Sequence, residues 1–329
     1  MDLLSVYGSE IPDFLCEAAE TDVMSRLRDV GMNCGCEYTN FPRFRNLIGY
    51  SRFDHSLGVA LIVWRHTHDR VQAMSGLLHD VSTPVFSHVV DFLKDDHLKQ
   101  EATEAGTEER IRSSEALLAV LEKHGLTVDS VKDYHAYPIA DNDSPKLSAD
   151  RLEYSLGNMF NYRFADLDTV QRLYGDICVG QNECGEAELM FARAECAFEF
   201  ADCALSCAGV YVSDEDRYGM QHLAELLRGA IEIGVIGTED LDGTEPVIIE
   251  KLMANPLTAE QWRRFCALHR MEVSHETEQT GDWKKIFAKK RCIDPYVKGQ
   301  GRVSKLNTDF AQKLHAFQTN SQDYWVRGR

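Results

Sequence analysis

A run of apolar residues at helical spacing over 71–80 ends on the adjacent pair His79-Asp80, and this pair constrains the chain more than any other feature. Neighbouring side chains on a helix diverge by about 100°, so an imidazole and a carboxylate side by side serve one purpose only when something sits between them. A metal ion is such an object. A borderline divalent ion accepts one imidazole and one carboxylate and needs further ligands to complete its shell. A fold that carries this chemistry must therefore bring distant segments to the end of that helix.

The surrounding segments are helical by their spacing. Between Ser56 and His68 the apolar residues Leu57, Ala60, Leu61, Val63 and Trp64 recur at helical intervals. The helix that ends near Asp80 stops before Pro84, because proline has no N–H to donate and disfavours helix at the residue ahead of it. Phe86, Val89, Val90 and Leu93 share one face and predict a helix after Pro84, with Lys94 to His97 at its tip. Ile111, Ala116, Leu117, Val120 and Leu121 predict another over 107–124, with Gly125 as its stop. Pro138, Pro145 and the turn Asp141-Asn142-Asp143 mark 135–148 as a loop. Ser148 then caps a helix over 149–156, and Asp150 sits in its first turn, where the helix dipole favours a carboxylate. Residues 188–208 and 218–233 read as helices too. From Thr238 the pattern changes, with Pro246, Pro256, Pro295, the β-branched run Val247-Ile248-Ile249 and basic clusters at Lys284-Lys285 and Lys289-Lys290-Arg291. The expectation is an all-α fold over 1–235 with a smaller mixed α/β C-terminal part over 236–329, without internal repeats.

His55 and Asp150 are the candidates to complete the metal shell, but they lie 24 residues before His79 and 70 after Asp80, which fits no local metal motif. The segments RFDHSLGVALIVW, GLLHDVSTPVFSHVVDF and ADRLEYSL together resemble the HD-domain superfamily of metal-dependent phosphohydrolases. The resemblance is to the branch containing deoxynucleoside triphosphate triphosphohydrolases and covers roughly residues 20–230. It implies an HD-type helical fold and one divalent metal ion, Fe, Mn, Ni, Co, Zn or Mg, held by His55, His79, Asp80 and Asp150. By the same resemblance, Arg52 and Arg151 would hold substrate phosphates and Tyr154 and Asn158 the rest of the substrate, with Asp80, His88 and Glu108 in catalysis. It also implies a homo-oligomer.

The chain departs from that pattern at Thr83, where a histidine is expected, and at Thr107, where a histidine ordinarily precedes the glutamate corresponding to Glu108. Asn158 replaces an aspartate that reads the sugar, Ser25 replaces a glutamine, and His97 is a candidate substitute proton donor. Two imidazoles and two carboxylates leave positions open on a metal, which polarises a phosphoryl oxygen and acidifies bound water, while arginines neutralise the developing charge. The expected activity is hydrolysis of a phosphoester or phosphoanhydride in a nucleotide or other phosphorylated small molecule. The alternative is a catalytically altered HD protein that acts as a nucleotide- or metal-binding regulatory module.

Composition sets the remaining limits. A net charge of −18 argues against duplex nucleic acid as a partner and requires that cations for an anionic substrate be concentrated in one cleft. Ten cysteines at irregular spacing, behind a start that does not read as a signal peptide, predict reduced thiols and a cytoplasmic address. Apolar runs such as Val59 to Trp64 are far shorter than the roughly 20 residues of a membrane-crossing helix. Cys34 and Cys36 read as free thiols, Asp141 to Asp143 as a solvated turn, and His66, His68, His124, His222, His269, His275 and His315 as packed or surface residues. Lys284 to Arg291 reads as a wet helix face, or else as a site for a regulatory anion at an oligomer interface.

Overall fold

The structure, a computed structural model, describes residues 3–8, 10–93 and 106–329. Lys94 to His97, and with them the candidate donor His97, lie outside the described residues.

Helix α1 spans Arg52–Thr67 and α2 spans Arg70–Leu78. A reciprocal cap starts α1: Ser51 Oγ accepts from Asp54 N at 3.2 Å and Asp54 Oδ2 accepts from Ser51 N at 2.9 Å. The cap puts Arg52 and His55 in the first turn, ahead of the start expected at Ser56. His68, at φ 51°, ends α1, and Asp69 caps α2 by accepting from Val71 N at 2.8 Å. The two helices then pack closely, because Gly76 offers Val59 and Val63 only a hydrogen where a Cβ would stand 3.2 Å and 3.5 Å away. His79 and Asp80 follow α2 in a turn. Helix α3, Ala149–Asn161, is capped by Ser148 as expected and runs one turn beyond the predicted end. Helices α4, Ala194–Tyr211, and α5, Asp214–Glu232, complete the frame.

Two small sheets are present among the described residues, formed by β1 (Ile177–Gln181), β2 (Ala187–Phe191), β3 (Met271–Ser274), β4 (Tyr296–Val297), β5 (Gly301–Arg302) and β6 (Trp325–Gly328). The first sheet has the order β1-β2-β4-β5 and the second pairs β3 with β6. The helix expected from Glu188 is corrected here: 187–191 is a strand paired antiparallel with β1, and α4 begins only at Ala194. Glu188 turns inward, where Arg302 donates to its two oxygens at 2.6 and 2.8 Å.

Other expectations are corrected as well. The helix after Pro84 begins only at Val89, because Phe86 and Ser87 adopt φ of 57° and 51°, outside the helical region. The helix over 107–124 breaks at Ser114, whose hydroxyl caps Leu117 N at 3.2 Å and donates to Asp22 at 3.0 Å. The β-branched run at 247–249 lies in the helix Glu245–Ala254, where burial of Ile248 and Leu252 outweighs local propensity.

Two apolar clusters form the core, and the C-terminal third enters both. Val297, Val303 and Phe310 pack with α1 and α2, while Trp262, Phe265 and Val326 pack with α5. No single helix among the described residues is long and apolar enough to cross a membrane.

Candidate metal centre

His55, His79, Asp80 and Asp150 meet where the start of α1, the turn after α2 and the start of α3 converge. His55 Nε2 lies 3.2 Å from His79 Nε2, 3.1 Å from Asp150 Oδ1 and 4.0 Å from Asp80 Oδ2. His79 Nε2 lies 3.7 Å from Asp80 Oδ2 and 3.8 Å from Asp150 Oδ1. His55, His79 and Asp80 are buried, whereas Asp150 keeps 19% of its side chain exposed toward the cavity.

The partners behind the rings decide what this cluster can hold. His55 Nδ1 is 2.6 Å from Glu153 Oε2 and His79 Nδ1 is 2.7 Å from the Gly76 carbonyl oxygen. Each acceptor takes an N–H, so the neutral rings carry their protons at Nδ1 and turn the lone pairs of Nε2 toward each other. Two opposed lone pairs flanked by two carboxylates are a seat for a cation. Ligands about 2.0–2.2 Å from a common ion stand roughly 3–4.4 Å apart, and the separations among His55, His79 and Asp80 fall in that range. These three residues therefore fit a divalent metal, with Asp150 3.1 and 3.8 Å from the two imidazoles beside them. The same field acts on a proton: burial alone would lower the His55 imidazole, but hydrogen bonds with Asp150 and Glu153 hold it up at about 10.

Sequence reasoning missed Glu153. It sits one turn after Asp150 on the same face of α3, is fully buried, and also accepts a short hydrogen bond from Tyr50 OH. Its seat is kept open by glycines: a Cβ on Gly58 would fall 2.7 Å from Glu153 Cγ, and one on Gly157 would collide with Tyr50. A carboxylate on Nδ1 fixes the tautomer of a metal-binding histidine and raises its basicity. The spacing of Asp150 and Glu153, three residues apart, was the available signal.

Asp80 is held far below its ordinary value: burial opposes this, but Arg52 beside it, the two imidazoles and the Thr83 hydroxyl outweigh burial. Arg52 Nη1 donates to Asp80 Oδ2 at 2.9 Å, its Nε donates to Ser87 Oγ at 3.0 Å, and Thr83 Oγ1 donates to Asp80 Oδ1 at 2.7 Å. Ser87, which accepts from Arg52, lies in a left-handed stretch of backbone with Phe86. Asp150 is likewise held low, its hydrogen bond to His55 overcoming burial.

Arg52, His88, Tyr154 and Asn158 line the same cavity as the four metal-ligand candidates. His88 Nδ1 is 2.9 Å from Asp91 Oδ2, and burial lowers its pKa against that pull. Tyr154 is pushed up to about 12 by burial. Asn158 Nδ2 donates to Tyr211 OH at 2.9 Å, and its buried Oδ1 has no partner among the described residues.

Two other candidates lie elsewhere. The Arg151 guanidinium is captured by the preceding loop, donating to Asp141 Oδ1 and Asn142 Oδ1 at 3.0 Å each, to Ser148 Oγ at 2.9 Å and to the Asn142 carbonyl. The turn Asp141 to Asp143 is solvated at Asp143, as expected, but Asp141 is buried against Arg151. Glu108 is exposed and bound to Arg112 and Lys132 at 2.8 and 2.9 Å, outside the cavity. The cavity has contributors not anticipated from the sequence: Asp216, raised far above the carboxylate range by burial, and Lys289 and Arg291 from the C-terminal basic run.

No protein-family model matches the chain. The uncharacterized protein YdhJ of Bacillus subtilis is 27% identical over 206 residues, which is 62% of this chain and 62% of that protein, less than two thirds of its length. The metal-dependent phosphohydrolase cns2 of Cordyceps militaris is 23% identical over 310 residues, 90% of this chain and 84% of that one. A hypothetical protein from Aquifex aeolicus, known as a crystal structure, shares the fold over 98% of this chain and 95% of its own, with a TM-score of 0.65 at 16% identity.

Proposed function

We propose that this protein is a metal-dependent phosphohydrolase of the HD type that acts on a nucleotide or another phosphorylated small molecule. The observation that carries the reading is the pair of opposed Nε2 atoms, 3.2 Å apart, with Asp80 and Asp150 beside them. A relative that carries the name metal-dependent phosphohydrolase and aligns with 90% of the chain supports it. A divalent ion there supplies Lewis acidity to a phosphoryl oxygen and a water of lowered pKa. Arg52 uses one N–H on Asp80 and one on Ser87, which leaves further donors for a phosphate oxygen in the cavity that it lines. His88 lines the same cavity with Asp91 behind its Nδ1, and since burial lowers its pKa the ring serves as a proton acceptor there and gives a proton to a leaving oxygen only after taking one up.

The test is release of phosphate, pyrophosphate or triphosphate from a panel of nucleotides and phosphorylated metabolites, with Mn, Fe, Co, Ni, Zn or Mg supplied. The reading predicts turnover that Asp80→Ala abolishes. Metal-loaded protein with no turnover on a broad panel would overturn it.

One observation favours a second reading, a binding module without turnover. The two threonines standing at expected histidine positions are engaged with the protein and do not line the cavity: Thr83 donates to Asp80, and Thr107 Oγ1 lies 2.9 Å from Ser82 Oγ. Thermal stabilisation by nucleotides without product would identify this case.

A further inference from the structure

His55 and Asp80 stand on separate elements, and a third stretch of chain ties those elements together. Arg26 opens the short 3-10 helix Arg26–Asp29, and its guanidinium is engaged with backbone. Nη2 donates to Val81 O at 3.0 Å and to Thr83 O at 2.8 Å, and Nη1 donates to Gly243 O at 3.0 Å. The first two carbonyls belong to the turn that follows His79 and Asp80. That turn is buried at Val81 and Thr83, so its carbonyls need donors from the protein. Within it Thr83 N donates to Asp80 O at 2.9 Å and Thr83 Oγ1 donates to Asp80 Oδ1 at 2.7 Å. The position of the turn is thereby passed on to the carboxylate.

Further along, the same segment holds the start of α1. Val30 O accepts from Arg52 N at 2.8 Å, Gly31 bridges Ser51 antiparallel, and Met32 N donates to Tyr50 O at 3.2 Å. Residues 26–32 therefore run from the turn after Asp80 to the first turn of α1, where Arg52 and His55 stand. Extended chain spans about 3.3–3.6 Å per residue and a 3-10 helix rises only about 2.0 Å, so a segment this short and partly wound has little slack. The C-terminal part backs it. Leu241 O accepts from Val85 N at 2.9 Å, Gly243 O takes Arg26 Nη1, and Glu245 Oε1 accepts from Gly31 N at 2.8 Å. Gly31 admits no side chain there, since a Cβ would collide with Glu37 Oε1.

The place of Arg26 asks for a guanidinium. Its planar fork reaches carbonyls on two separate segments at once, whereas an ammonium is a point charge on a flexible stem. Burial and nearby Arg110 lower its pKa to about 10, Asp242 and Asp80 pull the other way, and the group stays charged near neutral pH.

We infer that Arg26 is a positioning residue of the metal centre: by tying the turn after Asp80 to the segment that starts α1, it fixes the separation of Asp80 from His55. The inference rests on the metal-dependent reading above and adds to it a residue that stands outside the cavity.

The experiment is competitive titration of Mn against a chelating dye with full-length protein, the affinity being referred to folded chain by circular dichroism. The inference predicts about tenfold to a hundredfold weaker Mn binding in Arg26→Ala, the range for a group that supports a metal ligand from behind. Arg26→Lys, which keeps a donor for the turn but loses the fork, should fall between that variant and wild type. Leu314→Ala, which opens a cavity under the helix Thr308–Thr319, should lower the melting temperature and leave Mn affinity unchanged. If Arg26→Ala does not fold, Arg26→Gln makes the same comparison. Wild-type Mn affinity in the folded variant, or an equal loss in Leu314→Ala, overturns the positioning role alone. Wild-type protein that binds no Mn overturns the underlying reading as well.

Discussion

Glu153 and Glu188 are both fully buried carboxylates, and the fold settles their charges in opposite ways. Glu188 is closed by protein: Arg302 donates to both oxygens, Leu147 N adds a bond at 3.0 Å and Asn182 Nδ2 another at 2.9 Å. Apart from the His55 imidazole, Glu153 meets no side chain that carries a positive charge in its hydrogen bonds among the described residues. Its Oε2 accepts from Tyr50 and faces His55 Nδ1, while Oε1 has no partner among the described residues. Its charge is answered through the imidazole, by whatever positive species binds Nε2 on the far side. Glu188 belongs to the architecture: with Arg302 it joins β2 to β5 and steadies the loop before Ser148. Glu153 belongs to the site, and its incomplete protein shell is a sign that the cluster is finished by a cation.

Arg302→Ala should have the largest effect on stability. Removing one member of a buried pair leaves the other charged and alone, at a cost of about 3–5 kcal/mol. Urea denaturation would show this as a fall in midpoint. A loss below about 1 kcal/mol, the range of a surface pair, would show that Glu188 is not electrically dependent on Arg302.

Glu153→Gln sharpens the other side. The variant keeps the shape but removes the charge behind His55, and loss of such a partner costs about 10–100-fold in metal affinity. Competitive titration with a chelating dye would measure it. Unchanged affinity would mean that Glu153 is merely a buried carboxylate and not a support for a metal ligand.

Glu37 offers a third and smaller case, a carboxylate answered by a proton. Its Oε2 is sealed from solvent without a partner among the described residues, and burial together with nearby Glu245 pushes its pKa up to about 8 from an ordinary 4.5. The folded state therefore binds this proton more tightly than the unfolded chain does. The resulting stability is fully present below pH 4.5 and is lost as the pH rises through about 8. Glu37→Gln should flatten the decline of the melting temperature between those limits. An undiminished slope would place the pH dependence elsewhere.

The sequence was most legible where chemistry is carried by short helical stretches. His79-Asp80 near a helix end and Asp150 beside the Ser148 cap were legible from spacing, His55 stood just ahead of the expected helix start, and only the family resemblance joined the four, which the structure brings together. Arg151 shows the limit of such reading. Its guanidinium was assigned to phosphate by resemblance, but Asp141 and Asn142, ten and nine residues earlier, reach it first because the loop folds back and buries Asp141 beside it. Lys289 and Arg291 escaped for a different reason: the basic run reads as a wet helix face, whereas 285–295 form no helix and bring the two residues to the cavity. The hairpin of β1 and β2 was hidden in the same way, since Glu188 looks like a helix-surface residue until its partner, more than 100 residues later, is known.

The account stands on one divalent cation among His55, His79, Asp80 and Asp150, and metal analysis of purified protein tests it most directly. The prediction is close to one equivalent of tightly held divalent metal per chain, lost in His79→Ala and Asp80→Ala variants that remain folded by circular dichroism. Wild-type protein that retains no stoichiometric metal after exposure to Mn, Fe, Co, Ni, Zn and Mg, or variants that bind it as well as wild type, would contradict the account.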